Sequence, residues 1–328
     1  MAEEVAAKTF SLEGRTIWVA GHSGMVGSAI VRRLASEGCR VAMVSRSEVD
    51  LRRQAAVEDW LDATRPDSIF LAAATVGGIQ ANTTRPVDFL YDNLAIETNI
   101  IHAAWRMRVE KLLFLGSSCI YPRLAPQPIS EEALLTGPLE PTNEWYAIAK
   151  IAGVKLCQAY RRQHGARFVS AMPTNLYGPN DKFDLESSHV LAALLAKTHM
   201  MKQEGRSAIE IWGSGTPRRE FLHVDDLADA AVHLMKVHET DIPINVGTGV
   251  DVSILELAEE IKRVVGFEGG FTFDRSKPDG TPRKLLDVSR LAALGWRSRI
   301  GLHEGLVSTY AWFREHAARE DSVKRILK

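Results

Sequence analysis

Cysteine is scarce: three residues, Cys39, Cys119 and Cys157, are spread through a chain of 328. An odd number so widely spaced makes neither a disulfide framework nor a CxxC metal pair, so the sequence predicts reduced thiols and no metal. An excess of charge of one sign is also missing, since 40 Lys and Arg stand against 41 Asp and Glu, a formal net charge of -1. That balance removes any general pull toward nucleic acid or an anionic membrane, and an anionic ligand has to be held by a local site. There is no apolar run long enough to span a bilayer, and the opening MAEEVAAKTF lacks the basic-then-apolar order of a signal peptide. Neither repeats nor low-complexity tracts occur. A cytoplasmic protein is expected, without nucleic-acid or membrane partners. What is present is apolar material, 45% of residues, enough to bury a full core in one large domain with a smaller lobe.

Residues 15–20, RTIWVA, read as a short buried strand. GHSGMVGSAIVRRLASEG follows, with Val26, Ile30, Val31 and Leu34 at helical spacing. The next apolar run, CRVAMVSR, completes a strand-helix-strand unit, which packs as a right-handed parallel crossover. The rhythm continues through DSIFLAAA, VEKLLFLGSS and ARFVSAMPTNLY, each nearly all apolar, as a strand covered on both faces must be. Helices are predicted over 88–108 and 144–164. The fold class is therefore α/β, a doubly wound parallel sheet of Rossmann type with a smaller C-terminal substrate lobe. After Gly178-Pro179 the pattern changes to the helix SSHVLAALLAKTHMMKQEG and the loop WGSGTPRREFLHVDD. INVGTG then reads as another buried strand, and SILELAEEIKRVVG and GLVSTYAWFREHAARE as amphipathic helices. The predicted division is a tail at 1–11, a dinucleotide-binding domain at 12–180 with 221–249, and a substrate lobe at 181–220 with 250–328.

Gly21, Gly24 and Gly27 form GxxGxxG at the first strand-to-helix junction, where glycine lets the backbone turn tightly and approach a pyrophosphate at the helix N-terminus. At the end of the second strand a carboxylate would bind the ribose hydroxyls of NAD. This chain has Ser45 and Arg46 there, and an arginine suits a 2'-phosphate, so NADP(H) is the expected cofactor. The alternative is that Arg46 is only a solvated surface charge.

In NEWYAIAK, Tyr146 and Lys150 stand at i and i+4, on one side of a helix. A phenol ordinarily ionises near pH 10, and a neighbouring ammonium is expected to bring it down into range for proton transfer. Ser117, at the end of a preceding strand, could hold a substrate carbonyl beside it.

With GxxGxxG, Ser117, Tyr146 and Lys150, the sequence resembles the extended short-chain dehydrogenase/reductases. The blocks GSSCIYP, LEPTNEWYAIAKIAG, MPTNLYGP, WGSGTPRREFLHVDD, NVGTGV and KPDGTPRKLLDV resemble one family among them over nearly the whole chain from about Thr16. That family comprises the bifunctional GDP-4-keto-6-deoxy-D-mannose 3,5-epimerase-4-reductases, which make GDP-L-fucose with NADPH. The resemblance implies a GDP-sugar substrate. Inverting a carbon beside a ketone needs a base on one face and an acid on the other, besides the reductase groups. By resemblance Cys119 is the base and His189 the acid, Tyr146 protonates the alkoxide with Lys150 beside it, and Ser117 polarises the carbonyl. Cys119 alone could equally be a small packed hydrophobe, and His189 a cap or surface group. A place in a helix's first turn would lower the pKa of His189.

The resemblance further implies cofactor contacts at Gly21, Ser23, Gly24, Met25, Val26, Gly27, Arg46, Asp50, Leu51, Leu115, Gly116, Ser117, Lys150, Pro173, Asn175, Leu176 and His189. For the nucleotide sugar it implies Asn175, Lys197, Trp212, Arg219 and Asp279, while Arg218 and Arg283 could be solvated surface charges. It also implies a homodimer through helices 88–108 and 144–164. The chain departs from the family pattern at Ser23, where arginine is usual, which removes one possible NADP phosphate contact, and at Thr75, where lysine is usual. Rival readings are a GDP-L-colitose synthase, an NAD-dependent nucleotide-sugar 4-epimerase with no need of Cys119, and a non-catalytic NADP sensor.

Overall fold

The computed structural model describes residues 9–184, 188–277 and 279–316. The start of the expected N-terminal tail, residues 1–8, and the end of the last predicted helix, 317–328, lie outside the described residues. The elements run β1 (Thr16–Ala20), α1 (Met25–Leu34), β2 (Arg40–Ala42), α2 (Gln54–Thr64) and β3 (Ser68–Leu71). There follow α3 (Ile79–Thr84), α4 (Asn93–Arg106), β4 (Lys111–Leu115), α5 (Glu144–His164), β5 (Arg167–Pro173) and β6 (Asn175–Tyr177). The second half adds α6 (Val190–Gln203), β7 (Ala208–Trp212), β8 (Arg218–His223), α7 (Val224–Val237), β9 (Ile244–Val246) and β10 (Asp251–Ser253). The chain closes with α8 (Ile254–Val265), β11 (Gly270–Asp274), β12 (Arg283–Lys284), α9 (Ser289–Ala293) and α10 (Leu302–His316).

Six parallel strands form the main sheet in the order β2-β1-β3-β4-β5-β9. Alternate residues of each strand face opposite ways. Ile17, Val19, Phe70 and Leu113 therefore meet α1 and α7, while Trp18, Ile69, Leu71 and Leu112 meet α2, α4 and α5. Both faces are dry, which is why the strands read as unbroken apolar runs. From β1 the chain steps out to β2 and returns to β3 on the other side, so a crevice opens between β1 and β3 at their carboxyl ends. Because β1, β4 and β5 are parallel, Gly21, Ser117 and Asn175, each just past a strand end, share that edge.

The predicted helix at 88–108 begins as one wider π turn, Asp88–Asp92, before α4 continues it. ARFVSAMPTNLY is two strands, broken at Thr174: β5 stays in the main sheet and β6 leaves it to pair with β8. β8 also takes β10 and β12 as neighbours, making a second sheet. The lobe has its own core, in which Leu191 and Leu195 of α6 meet Leu257 and Ile261 of α8 and Leu306 and Phe313 of α10. Leu291 and Trp296, in a stretch assigned from sequence to the lobe, pack into the core beneath the main sheet. Among the described residues no helix is long and apolar enough to cross a membrane.

Candidate active site

The turn after β1 is built on steric necessity. Gly21 has φ +88°, and a Cβ there would come within 2.7 Å of the Ala73 backbone. A Cβ on Gly27 would lie 2.0 Å from the Gly21 carbonyl oxygen, so the helix can start this close to the strand only with glycine at both positions. Gly24 N-H donates to that same carbonyl at 3.1 Å. The first turn of α1, from Met25 and Val26, carries no acidic residue and no side-chain cap, which leaves its N-H donors for an anion. Ser23 is exposed beside them. These features fit the pyrophosphate of a dinucleotide.

At the end of β2, Ser45 gives both its N-H and its hydroxyl to Glu48, at 2.9 and 2.6 Å. Arg46 is exposed and makes no ion pair among the described residues, which leaves its guanidinium for a phosphate. Asp50 is already committed: Arg52 grips it through two bonds of 2.9 Å and holds its carboxyl down at about 2. Leu51 packs half-buried against the core. Thr75 donates its N-H to Asn93 at 2.8 Å and its hydroxyl lies 3.4 Å from Asp92, which Arg52 also meets.

Leu115 ends β4, and Gly116 follows, packed under the end of the Met172 side chain, whose sulfur lies 2.5 Å from its Cβ position. Ser117 is extended and its hydroxyl accepts from the Cys119 N-H at 3.2 Å, starting the short 3-10 turn Ser118–Ile120. That turn sets the half-buried Cys119 thiol facing two donors, the Asn143 amide and the Lys284 ammonium, each 3.4 Å from the sulfur. Asn143 stands immediately before α5, and Lys284 comes from β12, 165 residues away in sequence. The opening of α5 carries Tyr146 and Lys150 on one side, as predicted.

The electrostatics differ from the expectation. Lys150 is 2% exposed and its ammonium lies 2.8 Å from Glu97, itself 1% exposed, on α4. The Tyr146 phenol is pushed up, not down: burial is the largest cause, followed by the charges of Cys119 and Glu97, against which a hydrogen bond with Ser117 works less strongly. The expected lowering of the Tyr146 phenol by Lys150 is therefore corrected: the phenol is raised, and the ammonium is paired with Glu97, whose own carboxyl burial pushes up.

His189 sits at the N-cap of α6, outside the first turn; its carbonyl accepts from Ala193 N-H at 3.0 Å and its ring makes no cap bond. The residue is exposed. Burial, then the ammonium groups of Lys284 and Lys182, hold the imidazole below its ordinary range. Lys284 thus touches Cys119 and acts on His189 through its charge.

On the lobe side, the Arg219 guanidinium donates, among the described residues, to two backbone carbonyls, of Arg218 at 2.9 Å and Asp279 at 3.4 Å. Asp279 uses its carboxylate to hold the turn after β7, accepting from the Ser214 N-H and hydroxyl at 2.7 and 2.8 Å. Trp212 is 46% exposed, with Lys277 5.0 Å above its ring. Lys197 reaches Glu210, at 2.8 Å to its carbonyl and 3.3 Å to its carboxylate. Asn175, after Pro173 and before Leu176, donates its amide to the Glu220 carbonyl at 2.8 Å. Arg218 and Arg283 are solvent-exposed, as one reading of the sequence has it, but they are not free: both clasp Asp251, at 2.9 and 2.5 Å, and Asp251 is 6% exposed.

The structure brings Ser117, Cys119 and Tyr146 together beside the Lys150–Glu97 pair, with Lys284 against the thiol. Sequence reasoning did not single out Lys284, Asn143 or Glu97. The first two lie inside blocks read for their wording, and no spacing rule links residue 284 to 119. Glu97 did leave a signal, an acid set among Ile96, Ile100 and Ile101 on the buried face of a helix.

Residues 17–247 match the NAD dependent epimerase/dehydratase family. A GDP-L-fucose synthase of Sinorhizobium fredii is 59% identical over 94% of this chain and 98% of its own. A GDP-L-colitose synthase of Yersinia pseudotuberculosis is 39% identical, covering 90% of this chain and 97% of its own. Among solved structures, a GDP-L-fucose synthetase of Naegleria fowleri bound to NADP superposes with a TM-score of 0.86 at 29% identity, over 95% of this chain and 98% of that one.

Proposed function

The chain belongs to the NAD dependent epimerase/dehydratase family, and from that premise we infer its reaction: conversion of GDP-4-keto-6-deoxy-D-mannose to GDP-L-fucose, by inversion at C3 and C5 and NADPH-dependent reduction at C4. The observation that carries this reading is the Cys119 thiol, held beside Tyr146 and against the Lys284 ammonium. A plain ketone reductase has no use for a thiol there, whereas an epimerase needs a base next to the carbonyl.

In this reading the nucleotide is held by 12–180 with 221–249, and the sugar substrate is covered by 181–220 with 250–328. The turn at Gly21, Gly24 and Gly27 holds the pyrophosphate, and Arg46 the 2'-phosphate; when bound, NADPH supplies the hydride. Cys119, as thiolate paired with Lys284, takes the proton from the carbon beside the ketone, and Ser117 steadies the resulting enolate oxygen. His189 returns a proton on the other face. Burial and two lysines disfavour the imidazolium, and the diphosphate of the arriving substrate offsets that by bringing negative charge to the same wall. After both inversions Tyr146 gives its proton to the C4 oxygen. Arg219 suits the diphosphate by its fork, Trp212 offers a flat apolar face, and Asn175, Lys197 and Asp279 complete the substrate wall.

Incubation with GDP-4-keto-6-deoxy-D-mannose and NADPH in heavy water tests this. GDP-L-fucose carrying deuterium at C3 and C5 is the expected product, with the label lost in Cys119→Ser. Reduction without exchange would leave a simple 4-reductase, and turnover of the 3-deoxy precursor alone would make the chain a colitose synthase. We further propose a homodimer through 88–108 and 144–164 and a cytoplasmic location. Activity that sediments with membranes on cell fractionation would overturn the latter.

A further inference from the structure

The loop after β3, residues 75–79 with the sequence TVGGI, is tied down by two buried asparagines. Asn93 accepts from the Thr75 N-H at 2.8 Å and donates to the Thr75 carbonyl at 3.0 Å. Asn82 donates to the carbonyls of Gly77 and Gly78, at 2.9 and 3.1 Å. On this fixed backbone Val76 is 44% exposed and Ile79 43%. Single apolar side chains in water need no explanation, but the place of this pair gives it one. Gly77 lies against the Phe89 ring, which is 3.1 Å from its Cβ position, and Phe89 meets the Tyr146 ring edge-on at 6.5 Å between centroids. At the other end, the Cβ position of Gly280 is 3.9 Å from Ile79 Cδ1 and 3.4 Å from the Arg219 guanidinium. The loop is therefore linked by contact both to the phenol that serves the C4 oxygen and to the guanidinium that suits the diphosphate. A hexose joined to the diphosphate at C1 and reduced at C4 has to lie between those two groups, alongside Val76 and Ile79.

We propose that Val76 and Ile79 form an apolar seat for the methyl group on C5 of the substrate, and so select 6-deoxy sugars over sugars that carry a hydroxymethyl group there. This rests on the GDP-sugar reading of the site. Among the substituents of a 4-keto-6-deoxyhexose, the hydroxyls and the carbonyl need hydrogen-bond partners, and only the methyl gains from contact with apolar side chains. A hydroxyl on C6 would leave water for two side chains that offer neither donor nor acceptor. The asparagine ties matter because a seat discriminates only if it cannot yield, and here the backbone on both sides of Val76 is held. The selection is moderate in size, since an apolar pocket rejects an added hydroxyl by about 100-fold at most.

The test is calorimetric and needs no turnover. With NADP present, the protein is titrated with GDP-6-deoxy-D-mannose and with GDP-D-mannose, which differ by one oxygen on C6, and with GDP as the control. The 6-deoxy sugar is expected to bind about 10- to 100-fold more tightly. In the double variant Val76→Thr, Ile79→Thr, which keeps the branching at Cβ and adds two hydroxyls, the preference should shrink to within a few fold while GDP binds as before. Equal binding of the two sugars to the intact protein overturns the proposal without recourse to any variant. A preference that survives in the double variant also overturns it, and if NADP affinity falls there instead, the pair belongs to the cofactor. Should neither GDP nor either sugar bind the intact protein, the GDP-sugar reading fails and takes the seat with it; two sugars that bind alike remove the seat alone.

Discussion

Arg219 illustrates how a single side chain can be prepared for a ligand. Burial works against its charge more than the nearby acids Glu140 and Asp279 favour it, and its hydrogen bonds go to carbonyl oxygens, not carboxylates. Neighbouring Arg218, whose charge is spent on Asp251, shows the contrast. A charge-assisted hydrogen bond contributes about 1.5–3 kcal/mol. Arg219→Ala is accordingly expected to raise KM for the GDP-sugar about 10- to 100-fold while leaving kcat within a few fold. Steady-state kinetics would decide it, and an unchanged KM would mean that the guanidinium does not meet the diphosphate.

Among the elements, β8 has the largest part in assembling the site. Glu220, fully buried in it, accepts from the backbone N-H groups of Thr248 at 2.6 Å, Gly249 at 2.7 Å and Leu286 at 3.1 Å. The approach is close enough that residue 247 has to be glycine, since a Cβ there would meet Glu220 Oε1 at 2.3 Å. One carboxylate thus ties the turn after β9 and the segment following Lys284 to the strand carrying Arg219. Glu220→Ala would leave these donors without an acceptor. A loss of roughly 2–3 kcal/mol in urea unfolding is expected, and alkylation of Cys119 should change in rate as Lys284 loses its register. A fully stable variant would show that other contacts hold the two sheets.

At the scale of the whole molecule, the apolar residues that folding leaves uncovered are informative. Tyr91 is 64% exposed, Ile148 41% and Trp145 38%, the first on the π turn that leads into α4 and the other two on the adjacent α5. Such side chains on neighbouring helices suit a two-fold interface between copies of the chain. Light scattering is expected to give twice the 36.3 kDa chain mass, reduced to one chain mass in Ile148→Glu. A wild-type protein running as a monomer would remove the dimer. Because the catalytic end of α5 lies in the same helix, loss of pairing is also expected to lower turnover.

The sequence by itself determined the sheet, because strands covered on both faces must be apolar throughout, and it determined the phosphate turn, because no other residue fits where Gly21 and Gly27 stand. It also marked Ser117 and Tyr146, which stand just past a buried strand and at the start of a helix, while Cys119 was marked by the resemblance of its block GSSCIYP to a known family. It could not show that Lys150 is paired, because Glu97 lies 53 positions earlier on another helix and only the packing of α4 on α5 joins them. Nor could it pair Lys284 with Cys119, since that contact depends on how β12 is hung from β8. Charge compensation is a matter of distances of a few ångströms between remote segments, and local periodicity carries no information about these; the tertiary structure alone decided them.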